Sequence, residues 1–142
     1  MLTTLLQSIG RTPLLRLSRL AAGLPGMLLL KLENQNPGGS IKDRAAFHIL
    51  DRAMQRGELA PGGTVVEATS GNMGIGLAMT CAVRGLHCVL AMPESMSIER
   101  RQLLASLGAE LILTPADKGM GGAVEVAENI AVERRAFRPR QF

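Results

Sequence analysis

Thr64-Val65-Val66-Glu67-Ala68-Thr69-Ser70-Gly71-Asn72-Met73-Gly74-Ile75-Gly76 is the stretch that decides the fold. Residues 64–68 read as a short buried strand, and the hydroxyl- and glycine-rich turn after them opens onto residues 75–83, an apolar run of helical length. A helix that is apolar all round packs between layers. Strand, tight turn and buried helix in that order make half of an α/β unit, and the same alternation continues on either side. Further strands are expected at 27–32, 87–92 and 110–114, and helices at 40–56, 73–84, 97–107 and 121–135, with a shorter one at 3–9. In the last long helix Met120, Ala123, Val124, Ala127, Ile130 and Ala131 recur at three- and four-residue steps, so it lies on the outside of a sheet. Gly57, Gly85 and Gly108 each follow a helical stretch, where glycine turns left-handed at least cost. The fold class is α/β, a parallel sheet flanked by helices, and ligands of such sheets bind beyond the carboxyl ends of the strands.

Composition narrows the function classes. The chain has 142 residues, one domain's worth, with 46% hydrophobic and 20% charged side chains, enough to build a core. Its apolar runs, such as Met27-Leu28-Leu29-Leu30, fall far short of the ~20 residues of a membrane-spanning helix. Residues 1–10 carry no cationic region ahead of an apolar stretch, which reads as a cytoplasmic chain with no membrane partner. The net charge of +4 is concentrated in residues 133–142, where Arg134, Arg135, Arg138 and Arg140 face a single acid, Glu133. This tail reads as a solvated segment. Without Trp or Tyr, and with three Phe, a stacking platform for nucleic-acid bases cannot be assembled. Cys81 and Cys88 are too far apart for a Cys-x-x-Cys pair and form no metal pattern with the two histidines; they read as small buried hydrophobes, and no metal is expected.

Two loops could carry chemistry. The first reads Asn36-Pro37-Gly38-Gly39-Ser40-Ile41-Lys42-Asp43. Ser40 followed by Asp43 is a helix-start signature, in which the hydroxyl accepts from an early backbone N–H and the carboxylate favours the positive helix end. Lys42 is the odd member, because the positive end of a helix is an unfavourable place for an ammonium group. A surface lysine gains nothing there, whereas a Schiff-base lysine reacts as the neutral amine. The second loop, Thr69-Ser70-Gly71-Asn72-Met73-Gly74-Ile75-Gly76, places backbone N–H groups where a carboxylate or phosphate could sit. Its Gly-x-x-Gly-x-Gly spacing is not the dinucleotide fingerprint. It reads equally as a turn that lets helix and strand approach closely.

Together with Ile9-Gly10-Arg11-Thr12-Pro13-Leu14, Lys31-Leu32-Glu33, Arg44, Glu67-Ala68, Met92-Pro93-Glu94 and Glu99-Arg100-Arg101, these loops resemble the cysteine synthases, pyridoxal-phosphate enzymes of fold type II, over nearly the whole chain. Ala45-Ala46 and Glu67-Ala68 tilt the resemblance toward the B-type isozyme. It implies a cofactor, pyridoxal 5′-phosphate, held by Lys42 as Schiff-base and proton-transferring residue and by Asn72 through the ring's 3′ oxygen. It implies a substrate carboxylate clamped by Thr69, Ser70 and Gly71, with Met73 standing where the family usually has threonine and Gln141 contacting the same carboxylate. The reaction it implies is β-replacement, in which O-acetylserine loses acetate and gains a sulfur nucleophile, sulfide or thiosulfate, to give cysteine. The implied fold is the small domain of the tryptophan synthase β-like fold with the leading part of the large domain: residues 1–39 lead the large cofactor domain and 40–142 form the small mobile one. Family members run considerably longer, and the loop that holds the cofactor phosphate and the serine facing the pyridine nitrogen have no counterpart in these 142 residues. The chain alone is therefore expected to be inactive, and the full-length protein to be a homodimer. Two other readings are a catalytically silent interaction fragment, its leading strand short of sheet partners, and a serine or threonine dehydratase-like relative that releases a keto acid and ammonia.

Overall fold

Side chains alternate across short strands, and that alternation sets the layers. A computed structural model describes residues 1–141; Phe142, the last residue of the expected small domain, lies outside the described residues. Strands β3 (Thr64–Ala68), β4 (His87–Pro93) and β5 (Glu110–Thr114) pair in parallel in that order, with Val66 opposite Val89 and Ala68 opposite Ala91. On one face Val65, Cys88, Leu90 and Met92 join a core contributed by helices α1 (Lys42–Gln55), α2 (Asn72–Arg84) and α3 (Ile98–Ser106). On the other, Val66, Ala68, Val89 and Ala91 meet Ala123, Ala127 and Ile130 of α4 (Gly119–Glu133). Alanines on both sides of that second seam let α4 lie close to the sheet. Leu50, Leu77, Leu90 and Leu104 are fully buried, each stabilising the core by ~1.5–3 kcal/mol. This is the α/β architecture read from the sequence, with each of these helix ends within two residues of its expected place.

The left-handed turns also fall where read, at Gly57, Gly85 and Gly108. Cys81 and Cys88 are buried, free and in the core; the hydrogen bond between the two thiols and their burial push the Cys88 thiol up.

Three readings are corrected. The strand expected at 27–32 does not join the parallel sheet; β2 (Leu29–Lys31) pairs antiparallel with β1 (Leu14–Arg16), which the sequence pattern did not reveal. Both strands are exposed throughout, so neither has a buried face to impose alternation. The leading strand thus has a sheet partner. At 3–9 a single 3-10 turn, Leu5–Ser8, replaces the short helix, with only Leu6 buried. The basic tail is docked: Phe137 bridges Val65 along the free edge of β3, donating its N–H to Thr64 and accepting from Val66. Arg134 makes a two-pronged pair with Glu110 at 2.7 and 2.9 Å, and Arg138 pairs with Glu128 at 2.8 Å. The edge of a sheet offers unpaired backbone groups, and a segment with Phe137 among its arginines can both pair and pack there.

Candidate active site

Both candidate loops end at a helix N-terminus, and the packing of the helices brings those ends together. Gly76 of α2 lies against the first turn of α1: a Cβ there would stand 2.9 Å from Cβ of Ala46 and 3.1 Å from the carbonyl oxygen of Lys42. One helix length further on, Arg84 of α2 pairs with Asp51 of α1 at 2.6 Å. The helices therefore run side by side in the same direction, with Lys42 and Asn72 as their first residues. Gly74 serves the other seam, its missing Cβ leaving room for Thr69 Cγ2 at 3.0 Å. Both glycines thus sit where neighbouring elements approach closely.

The lysine loop is held from within. The Lys42 N–H donates to Ser40 Oγ at 3.1 Å, as the helix-start signature predicts. Asp43 does something the sequence does not show. It is fully buried and turns back to accept from the Gly38 N–H at 2.6 Å, while its Oδ1 has no partner. Burial, the largest influence, pushes its carboxyl above the ordinary range despite the backbone N–H groups of Gly38 and Ser40. Lys42 itself is exposed.

In the second loop, Thr69 is buried and its hydroxyl accepts from the Gly71 N–H at 3.3 Å, so its side chain shapes the turn. Ser70 is half-buried, and its carbonyl takes a hydrogen bond from the guanidinium of Arg100 in α3. Gly71 stands before α2 in extended backbone, and no side chain caps this helix. The Gly74 N–H donates to the Gly71 carbonyl at 3.0 Å, which leaves the N–H groups of Asn72 and Met73 open to an anion. Asn72 is exposed at that same end. Met73, grouped with the substrate loop in the sequence reading, is buried and belongs to the apolar core shared by the sheet and α1 to α3, where an unbranched thioether adapts to its neighbours. Gln141 is exposed, and its backbone N–H donates to Glu67 Oε2 at 3.0 Å, which brings the tail to the carboxyl end of β3. Among the described residues no cluster of three or more His, Cys, Asp or Glu could hold a metal ion, and no helix is long and apolar enough to cross a membrane.

Several residues that appeared only as motif letters have definite partners. Glu67 is an acid in the apolar strand β3, fully buried, with Oε1 accepting from the Ala68 N–H at 2.9 Å. Glu33 accepts from Thr12, Asn36 and Arg44, and hydrogen bonds from Arg44 first and Thr12 next hold its carboxyl down at about 2. A buried acid in an apolar run and an arginine in the first turn of a helix are the signals that mark such residues in the sequence alone.

A parallel sheet with an uncapped Thr-Ser-Gly-Asn turn at the end of β3, and an exposed lysine opening the neighbouring helix, defines a class, and by its match over residues 5–142 the chain belongs to the family described as pyridoxal-phosphate dependent enzyme. It is similar to the cysteine synthases of Staphylococcus aureus strains Mu50 and N315, 48% identical over 136 residues, which cover 96% of this chain and 44% of each relative. Among solved structures it resembles the cysteine synthase of Entamoeba histolytica with a TM-score of 0.93 and 39% identity, over 98% of this chain and 43% of that one. An O-ureido-L-serine synthase gives a TM-score of 0.91 and 41% identity, over all of this chain and 45% of that one. The chain spans less than half the length of the relatives it matches.

Proposed function

We propose that the chain carries the lysine-bearing part of a pyridoxal-phosphate-dependent cysteine synthase, which replaces the acetate of O-acetylserine with a sulfur nucleophile. The observation that carries this reading is the pairing of two helix starts: Lys42 and Asn72 are the first residues of parallel neighbours α1 and α2, and Gly76 permits their approach. The residues suit the cofactor, since Lys42 is exposed, Asn72 is exposed, and α2 lacks a side-chain cap. When bound, pyridoxal phosphate supplies an electron sink for charge that develops at a substrate's α-carbon. Lys42 would hold the cofactor through Nζ and would take up the substrate's α-proton at the same atom. Asn72 orients the cofactor ring. The N–H groups at the start of α2, with Ser70 and Gly71, take the substrate carboxylate, and Gln141 approaches the same carboxylate from the tail. Thr69 acts through the shape of the turn, and Met73 through the packing beneath it.

In this reading residues 1–39 lead the large cofactor domain, residues 40–142 form the small mobile one, and the full-length enzyme is a homodimer. The similarity to the cysteine synthases favours replacement by sulfide or thiosulfate over release of a keto acid. The test is complementation. Mixed with the remaining portion of the Staphylococcus aureus cysteine synthase, the chain should form cysteine from O-acetylserine and sulfide, and Lys42→Ala should abolish it. Keto acid and ammonia as the products would indicate the dehydratase-like activity, and a mixture that associates yet makes neither product would favour a silent interaction fragment.

A further inference from the structure

We propose that Glu33 is a positioning residue for Lys42, a deepening that rests on the reading of Lys42 as the cofactor-bearing lysine. Glu33 opens a 3-10 turn just after β2, outside the unit that contains α1. Its two oxygens accept four side-chain hydrogen bonds: from Thr12 Oγ1 at 2.6 Å, Asn36 Nδ2 at 2.9 Å, Arg44 Nε at 2.8 Å and Arg44 Nη2 at 3.0 Å. Asn36 begins the lysine loop and Arg44 lies in the first turn after it, two residues beyond Lys42. One carboxylate thus grips the chain on both sides of the lysine. Fork-shaped, charge-assisted pairing fixes orientation as well as distance, which a single ammonium partner would not do.

The surroundings close the grip. Asn36 is buried, and its Oδ1 accepts from the Gly10 N–H at 2.8 Å. A Cβ on Gly10 would stand 2.8 Å from Arg44 Nη1, so the leading segment lies directly on the guanidinium. None of Thr12, Glu33 and Asn36 belongs to either apolar core of the sheet unit. Loss of the carboxylate therefore loosens the lysine loop and leaves that unit folded. Holding a reacting group in place is worth far more to its reactivity than to global stability, because a displacement of ~1 Å can cost up to ~100-fold in rate.

Two measurements on the 142-residue chain test this, with Glu33→Ala and the milder Glu33→Gln, which keeps one acceptor oxygen for Arg44. Hydrogen exchange of residues 37–43 is expected to speed up about tenfold or more in Glu33→Ala, while residues 87–93 of β4 stay as protected as before. Pyridoxal phosphate followed by borohydride, with the label mapped across Lys31, Lys42 and Lys118, is expected to give a Lys42-to-Lys118 ratio that falls about tenfold in Glu33→Ala and less in Glu33→Gln. Unchanged exchange of 37–43 in both variants overturns the proposal, and so does an unchanged label ratio. Absence of label on Lys42 in the unsubstituted chain instead overturns the reading of Lys42, and the exchange result then decides the grip of Glu33 on the loop by itself.

Discussion

Gly38 is the residue at which one methyl group matters most to the lysine loop. A Cβ there would stand 2.5 Å from Asp43 Oδ1 and 3.0 Å from Asp43 Cγ, so Gly38→Ala must break the hydrogen bond that folds the loop back onto α1. A loss of ~1–3 kcal/mol is expected in urea denaturation, the cost of overpacking. Gly39→Ala meets open space but must hold a φ of +83°, for which ~1–2 kcal/mol is expected. Glu33 sets an acid limit. Its folded-state pKa of about 2 lies below the ordinary 4.5, so the unfolded chain takes up this proton first. The stability it contributes is complete above 4.5 and is lost as the pH falls toward 2. Protection of residues 37–43 against hydrogen exchange, taken relative to that of residues 87–93, should therefore converge between the unsubstituted chain and Glu33→Gln on acidification, and a difference that stays constant with pH would contradict this. At this scale the helix-start position of Lys42 was legible from its own loop, whereas Asn72 was singled out by the family resemblance. Asp43 was half legible: the sequence marks an acid in the first turn, but a carboxylate reaching back to Gly38 depends on where the loop turns.

Among elements, the contact of α1 with α2 decides whether the two loops share a site. Gly76→Val places a branched side chain against Ala46 and the Lys42 carbonyl, where even a Cβ is close at 2.9 and 3.1 Å. The helices must separate, at ~1–3 kcal/mol. Retention of pyridoxal phosphate, followed by its absorbance on a desalted sample, should fall together with stability. Strands β3 and β4 and helices α1, α2 and α4 were readable because each buries several residues at its own spacing, and periodicity records burial; α3 buries only Leu104 and β5 only Thr114. Strand β1 left no such record. Leu14, Leu15 and Arg16 are all exposed, and three residues after Pro13 cannot establish an alternation. Its pairing with β2 is fixed instead by backbone register, Leu15 opposite Leu30.

For the whole molecule, the tail closes the free edge of β3. Truncation of the chain after Arg135 takes away the backbone pairing of Phe137 with β3 and leaves Glu67 Oε2, in a fully buried side chain, without its Gln141 N–H. A loss of ~2–4 kcal/mol is expected by urea denaturation, mostly from the stranded carboxylate oxygen and the lost Phe137 packing. By contrast Arg134→Ala should cost under ~1 kcal/mol, since its pair with Glu110 is exposed. Charge counting took the tail for solvated because it weighs arginines and ignores the free edge of β3 that Phe137 fills. The account as a whole stands on Lys42 as the residue that captures the cofactor, and three lysines in the chain make that a direct measurement. After addition of pyridoxal phosphate, borohydride reduction and peptide mapping, the label should sit on Lys42 in clear excess over Lys31 and Lys118; label spread evenly over the three, or absent from Lys42, would contradict it.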